Sequence, residues 1–372
     1  MESLPDTVRA LREQVQQAAA DGTRLRPRGG ASKQWLDPRP GHEARVLDMR
    51  AHAGVLAYEP SELYVTARAG TALVELEAML AQQGQCLPCD PPRFLRDGGA
   101  GATVGGMVAA GLSGPGRLGA GAVRDYVLGA SLLNGRGEVL HFGGQVMKNV
   151  AGYDVSRLLA GSMGSLGVIL EVSLKVLPLP RAQTTLAFEM PQQQATEQLN
   201  RWGGQPLPIS ASAWWIDADG RERLYLRLRG ARAAVDAACT RLGGERVADA
   251  QADALWEALR EQTLDWFAPT WQQALAQTLW RIAVPQTAPV LDLPGQTLVE
   301  WGGSLRWLRS DADAAAVREA AARVGGHATR FRGGDPGVPV FTPPQAPLDR
   351  IQRQVKLAFD PHGVFPDCFG AA

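Results

Sequence analysis

An α+β chain in two parts is predicted by three features of this 372-residue sequence. Strand-like and helix-like patterns alternate over roughly the first 180 residues. Glycine, 42 residues in all, is concentrated, with nineteen between Gly98 and Gly167. Nine of the ten tryptophans lie beyond residue 200, where the pattern becomes that of an antiparallel sheet covered by helices. The length suits two domains, and 45% hydrophobic with 20% charged residues excludes long disorder.

The elements follow in order. An amphipathic helix over Leu4–Ala20 precedes a strand at Thr23–Arg26, which runs into the loop Pro27–Lys33. Strands are expected at Arg45–Met49, Gly54–Tyr58 and Leu63–Arg68, then a helix over Ala72–Gln83, where Leu73, Leu76, Met79 and Leu80 recur at helical spacing and Gly84 ends it. Cys89–Gly121 is irregular apart from a short helix at Val104–Ala110. Strands at Val127–Asn134 and Val139–Phe142 flank a turn at Asn134-Gly135. A short helix at Val155–Ala160, capped by Asp154, leads to a strand at Val168–Val176. The second part reads strand Thr184–Glu189, helix Gln193–Trp202, strand Ser210–Ile216, turn Asp217–Gly220, strand Arg223–Leu228 and helix Ala231–Leu242. A strand at Leu298–Leu308, a helix at Ala312–Val324 and a strand at His327–Phe331 repeat the unit. Helices at Asp253–Phe267 and Trp271–Leu279 are extra. Gly333–Pro347 is a Gly- and Pro-rich linker, and Leu348–Phe359 is a last helix.

Charge and composition narrow the function. Lys plus Arg is 38 and Asp plus Glu is 38, so nothing points to nucleic acid or a membrane surface. The first helix carries both charge signs, and no run of about eighteen apolar residues exists. A cytoplasmic chain is expected, reaching the inner face of the cytoplasmic membrane at most through partners. Cys86, Cys89, Cys239 and Cys368 are too few and scattered for a disulfide scaffold. Cys86-Leu-Pro-Cys89 has no second CxxC, and Pro91-Pro92 stands where a redox helix would run. The five histidines make neither HxxxH nor HxH spacing, so no metal site is expected. Asp217 and Asp219 lack the rest of a calcium loop and read as turn residues. The tryptophans of the second part read as core and interface residues.

Gly114-Pro-Gly116-Arg-Leu-Gly119 satisfies GxGxxG, yet no strand leads into it, Pro115 sits inside the supposed turn, and no acidic residue ends a following strand. A nicotinamide dinucleotide site is therefore rejected. Three separated glycine-rich segments make a better set: Arg28–Lys33, Gly98–Gly121 and Gly161–Gly167. Successive backbone amides in such loops form concave anion sites, and the missing Cβ lets a pyrophosphate or a flat ring approach the main chain.

In the segments RGGASK, TVGGMVAAGLSGPGR, RDYVLG (Arg124–Gly129), KNVAGYDVSRLLAGSMGSLGVILEVSLKVLP (Lys148–Pro178) and KLAFDPHGVFP (Lys356–Pro366), the chain resembles flavoproteins of the vanillyl-alcohol oxidase type, also called the p-cresol methylhydroxylase (PCMH) type. The resemblance implies an α+β fold with a two-subdomain PCMH-type FAD-binding domain over 1–180. It further implies a cap domain of antiparallel sheet and helices over 181–335, and a segment 336–372 returning to the FAD domain. It also implies non-covalent FAD, since no histidine or cysteine lies in the RGGASK loop. Carried across by position, the expected cofactor-binding residues are Arg28, Gly29, Gly30, Ser32 and Lys33, then Thr103, Val104, Gly105, Gly106 and Ser113, then Gly161, Gly164, Gly167 and Val168. All four lysines, Lys33, Lys148, Lys175 and Lys356, fall in these segments of an otherwise arginine-using chain. Lys148, Asn149, Tyr153 and Asp154 are candidates for a flavin or substrate pocket.

Within that type the chain is similar to the family of FAD-binding subunits of bacterial glycolate oxidase (glycolate dehydrogenase), through the Val146–Pro178 stretch, the Trp-rich second part with EWGGSLRWL, and the length. Related D-2-hydroxy-acid dehydrogenases carry Glu where this chain has Met163, and a metal-binding histidine cluster that this chain lacks. The resemblance implies an oxidoreductase acting on a small 2-hydroxy acid in a complex with a larger homologous FAD subunit and an iron-sulfur subunit. Four scattered cysteines cannot ligate the clusters of such an electron route. Two further classes stay open on the sequence: a self-sufficient FAD enzyme acting on an alcohol or hydroxy acid, and a structural subunit that has lost FAD. No catalytic base can be assigned from the residues alone.

Overall fold

The computed structural model describes residues 4–36, 44–95, 101–144, 154–267 and 277–367. The chain forms two compact units. The first comprises residues 1–113, 122–179 and 343–372, and the second 114–121 and 180–342. The architecture is α+β in both.

In the first unit the Asp6–Asp21 helix buries Val8, Leu11, Val15 and Ala18, a stripe at helical spacing. A two-stranded parallel pair joins Leu25–Arg28 to Arg45–Asp48. The first of these strands starts two residues later than the sequence pattern places it, and its first residue, Leu25, donates its amide to Val364 O (2.7 Å). A five-stranded sheet runs in the order Val55–Glu59, Tyr64–Arg68, Val168–Lys175, Val127–Leu133, Val139–Gly143, with antiparallel neighbours. The Val168–Lys175 strand is central and almost continuously buried, which is why it reads as an unbroken apolar run. Leu73–Gln82 and Val104–Ala110 are helical. The 134–138 connection is organised by Asn134, whose Oδ1 accepts the amides of Arg136 and Glu138 at 2.9 Å each, while the left-handed residue is Gly137. The Asn134-Gly135 turn thus widens into a five-residue loop.

The second unit is built on an eight-stranded sheet in the order Glu245–Val247, Ala182–Glu189, Glu222–Gly230, Ile209–Ile216, Gln296–Glu300, Leu305–Ser310, Thr278–Ala283, His327–Arg332. Its helix-covered face carries two apolar clusters, one around Trp214, Leu224, Leu226 and Leu228, the other around Trp280, Ile282, Leu308 and Val317. Three expectations are corrected here. The single strand over Leu298–Leu308 is two strands, because Trp301, Gly302 and Gly303 take φ of 53°, 67° and 103° and turn the chain back on itself. The helix over Asp253–Phe267 is an α-helix at Asp249–Glu261, ended by Gln262 at φ 54°, followed by a single 3-10 turn at Asp265–Phe267. Leu279, expected at the end of a helix from Trp271, lies in the Thr278–Ala283 strand, which pairs on both sides; the rest of that helix falls largely outside the described residues. The GxGxxG segment contains only the short helix Arg117–Ala120, and no strand enters it.

Candidate functional site

Within the first unit, residues 101–113 of the second glycine segment meet the first and third segments. Gly29 of the first loop sits on Thr103 of the second so closely that a Cβ on Gly29 would lie 2.2 Å from Thr103 Oγ1. Gly111, which ends the Val104–Ala110 helix, packs on Gly161 of the third loop; a Cβ there would lie 2.9 Å from the Gly161 amide nitrogen. Gly161 and Met163 donate their amides to Val108 O (3.0 Å) and Ala109 O (2.8 Å). The third loop also approaches the first, Gly164 facing Pro27.

One concave surface results. Its wall is formed by Arg28, Gly29, Thr103, Gly105 and Gly106, and opposite them Gly164, Gly167 and Val168. Pro27, Met49, Ala69, Ala109, Met163 and Ile169 complete it, and none of these six belongs to the expected set. Ala69 carries a signal in hindsight: the Gly105 amide donates to its carbonyl at 2.8 Å, and only a small side chain leaves room for that approach.

The other expected residues fall elsewhere in the unit. Val104 is a core residue whose amide donates to Thr71 O (2.9 Å). Ser113 Oγ accepts from the Val123 amide (3.2 Å) and so shapes the chain after the second loop. Gly161 faces a separate cleft beside the Leu348–Phe359 helix. Gly30, Ser32 and Lys33 continue the first loop beyond the wall, with Lys33 Nζ 3.2 Å from Ser32 Oγ and 5.5 Å from the Phe94 ring centroid. Lys148, Asn149 and Tyr153 lie outside the described residues. Asp154 is an N-cap, its Oδ1 accepting from the Arg157 amide.

These surfaces fit FAD. Among the described residues, the amides of Gly29, Gly30, Ala31 and Ser32 have no protein acceptor, and Ala31 holds φ at 55°. Consecutive unspent amides in a turn with a left-handed residue make a nest for an anion such as a pyrophosphate. Arg28 adds a positive charge at the mouth. The carboxyl of neighbouring Asp48 is held below its usual range first by hydrogen bonds from the Arg50 guanidinium and amide, with Arg28 contributing. By contrast the first-turn amides of the Val104–Ala110 helix are spent on Thr71, Ala69 and Thr103, so that helix supplies shape and the loops supply donors.

Gly29→Ala is expected to weaken FAD binding roughly ten- to a hundredfold, since overpacking of this kind costs about 1–3 kcal/mol and parts the first two loops. A flavin titration of the variant measures it; an unchanged Kd would show that the loops need no such contact.

Comparison with known proteins agrees with this geometry. The FAD binding domain family matches residues 3–143. Glycolate oxidase subunit GlcE of Escherichia coli K12 is 49% identical over 360 residues, covering 97% of this chain and 96% of that one. Glycolate oxidase subunit GlcD of Bacillus subtilis 168 is 29% identical over 160 residues, 43% of this chain and 33% of its own length. Alkyldihydroxyacetonephosphate synthase shares the fold, with a TM-score of 0.67 at 16% identity over 97% of this chain and 75% of that one. FAD is the cofactor of this family. The chain belongs to the FAD-binding oxidoreductase family of glycolate oxidase subunit GlcE.

Proposed function

We propose that this chain is the FAD-bearing subunit of a complex that oxidises glycolate to glyoxylate and passes the electrons to an iron-sulfur subunit, alongside a larger homologous flavoprotein. The observation that carries the reading is the near full-length identity to GlcE, joined to three glycine loops that close on one wall. The oxidation removes two electrons and two protons from a CH–OH carbon, and bound FAD supplies the acceptor. The protein's own part is to hold the pyrophosphate in the amides of Gly29–Ser32, to present the Thr103–Gly106 and Gly161–Val168 backbones to the rest of the cofactor, and to exclude water by their close packing. The similarity to GlcD supports a larger homologous flavoprotein as one partner. This chain's four cysteines are scattered through the sequence, so we assign the clusters of that electron route to a separate subunit. The complex is placed in the cytoplasm, where any membrane contact is made by the partners.

Co-expression with the two partners and assay of glycolate-dependent dye reduction tests the reading. Full activity is expected only for the assembled complex. Complete turnover by the isolated chain would overturn its role as a dependent subunit, and an assembled complex that does not oxidise glycolate would overturn the substrate.

A further inference from the structure

The second unit carries a polar site that none of its folding contacts explains. Antiparallel pairing sets Arg281 opposite Trp307, and Glu300 opposite Ala213 and Leu305, so these side chains share one face of the sheet. Trp307 Nε1 donates to Glu300 Oε2 at 2.7 Å. Glu300 is 3% exposed, and its other oxygen, Oε1, is buried and accepts nothing among the described residues. A buried carboxylate oxygen left without a donor costs free energy that a fold does not spend without reason.

Arg281 stands in the complementary condition. Its guanidinium lies over the Trp301 ring at 5.1 Å and, among the described residues, donates no hydrogen bond. The buried arginines of the unit are tied down: Arg227 to Ser210, Arg306 to Gly303 and Ala288, Arg330 to Val338 and Gly333, Arg332 to Gln262. Arg281 is half-buried as a residue, and desolvation of its guanidinium lowers its pKa to about 10. Trp301 is held at φ 53°, an unusual backbone for so large a residue, by the bond from its Nε1 to Gly114 O (3.0 Å) and by Arg117 stacked 4.5 Å from its ring. Around Glu300 the same face carries the small side chains of Ala213 and Ala283.

An unspent guanidinium fork takes a carboxylate in bidentate fashion, and a lone carboxylate oxygen takes a hydroxyl hydrogen. A simple anion would satisfy Arg281 and be repelled by Glu300; a simple cation would do the reverse. A molecule with a carboxylate and a hydroxyl on adjacent carbons satisfies both. We propose that Arg281 and Glu300 form a binding site for a small 2-hydroxycarboxylate, with the carboxylate on Arg281 and the hydroxyl donating to Glu300 Oε1 over the floor of Trp301. This rests on the glycolate reading above and deepens it, giving the chain a substrate site of its own.

Calorimetric titration of the full-length, FAD-loaded chain with glycolate and with acetate tests it without turnover. At about pH 8, where Glu300 is ionised, glycolate is expected to bind roughly tenfold or more tighter than acetate, the hydroxyl bond to a charged acceptor accounting for the difference. Glu300→Gln should shrink that preference towards parity, with acetate binding rising as the repelling charge is lost, and Arg281→Gln should weaken both ligands by roughly thirtyfold or more. Should Arg281→Gln fail to fold by circular dichroism, Arg281→Lys carries the same test: it keeps the charge, loses the fork, and should still weaken both ligands. Glycolate binding untouched by the Arg281 variant, or a glycolate preference untouched by Glu300→Gln, overturns the site. A chain that holds FAD and ignores millimolar glycolate also overturns it while leaving the flavoprotein reading intact. Failure of the assembled complex to oxidise glycolate is the separate result that would sink the reading beneath.

Discussion

Asp360→Ala is expected to destabilise the first unit by about 3–5 kcal/mol, the usual loss when one partner of a buried ion pair is removed. Asp360 is 1% exposed and accepts the amides of Val364 and Phe365 at 2.9 and 2.8 Å. Lys356 meets it at 2.5 Å and donates its remaining hydrogens to Ser165 O (2.7 Å) and Phe365 O (2.9 Å). The ammonium is thus fully spent, and removing the carboxylate strands both a buried charge and two amides. No larger anion fits, because the unit closes over Asp360 from the other side: a Cβ on Gly135 would lie 2.1 Å from its Oδ1. Lys356→Arg should rescue little, since a planar fork cannot point at three separate acceptors as an ammonium does. Chemical denaturation of the parent, Asp360→Ala and Lys356→Met, with the double variant to complete the cycle, measures the coupling. A loss below about 1 kcal/mol, the range of surface pairs, would show that the pair is not a buried clamp. The same variants should loosen FAD, because Lys356 holds the carbonyl of Ser165 inside the third glycine loop.

That clamp marks a boundary of what the sequence discloses. Lysine is so rare here that its positions draw notice, yet nothing local to Lys356 says that it reaches Ser165, 191 residues away. The glycine loops are legible because a turn, a left-handed residue and a close approach each demand glycine at a fixed spot, and the three segments share one resemblance. The Leu348–Phe359 helix has the bounds that its pattern and flanking Pro347 suggest. The Thr278–Ala283 strand does not, because Trp271, Leu275 and Leu279 recur at helical spacing, while the conformation of the last is decided by pairing with two strands that follow it in sequence. Splitting of the Leu298–Leu308 segment was written in Gly302-Gly303, beside the residue that matters most, Glu300. Its meeting with Arg281 is a product of sheet register alone. Two residues nineteen apart on different strands leave no local trace of a shared face.

The stability of the second unit should fall as pH rises from about 4.5 to 7, and Glu300→Gln should abolish that fall. Burial pushes the Glu300 carboxyl up from 4.5 to about 7, against the Trp307 indole N–H and the Arg281 and Arg227 guanidinium groups, which hold it down. Below pH 4.5 the group is neutral in the folded and unfolded chains alike and contributes nothing. As pH rises the unfolded chain gives up this proton first, so unfolding is favoured progressively until the folded group also ionises near 7, after which the difference is constant. A shift of this size corresponds to roughly 3 kcal/mol, enough to move a thermal midpoint by several degrees. The glutamine variant keeps a carbonyl oxygen for Trp307 Nε1 and has no charge to bury. Its unfolding free energy should therefore exceed the parent's by an amount that grows across this window and then levels, read from denaturant midpoints at matched ionic strength. A gap independent of pH would mean that Glu300 is as well solvated in the fold as in the open chain. The unspent oxygen that makes it a hydroxyl acceptor would then already have a partner.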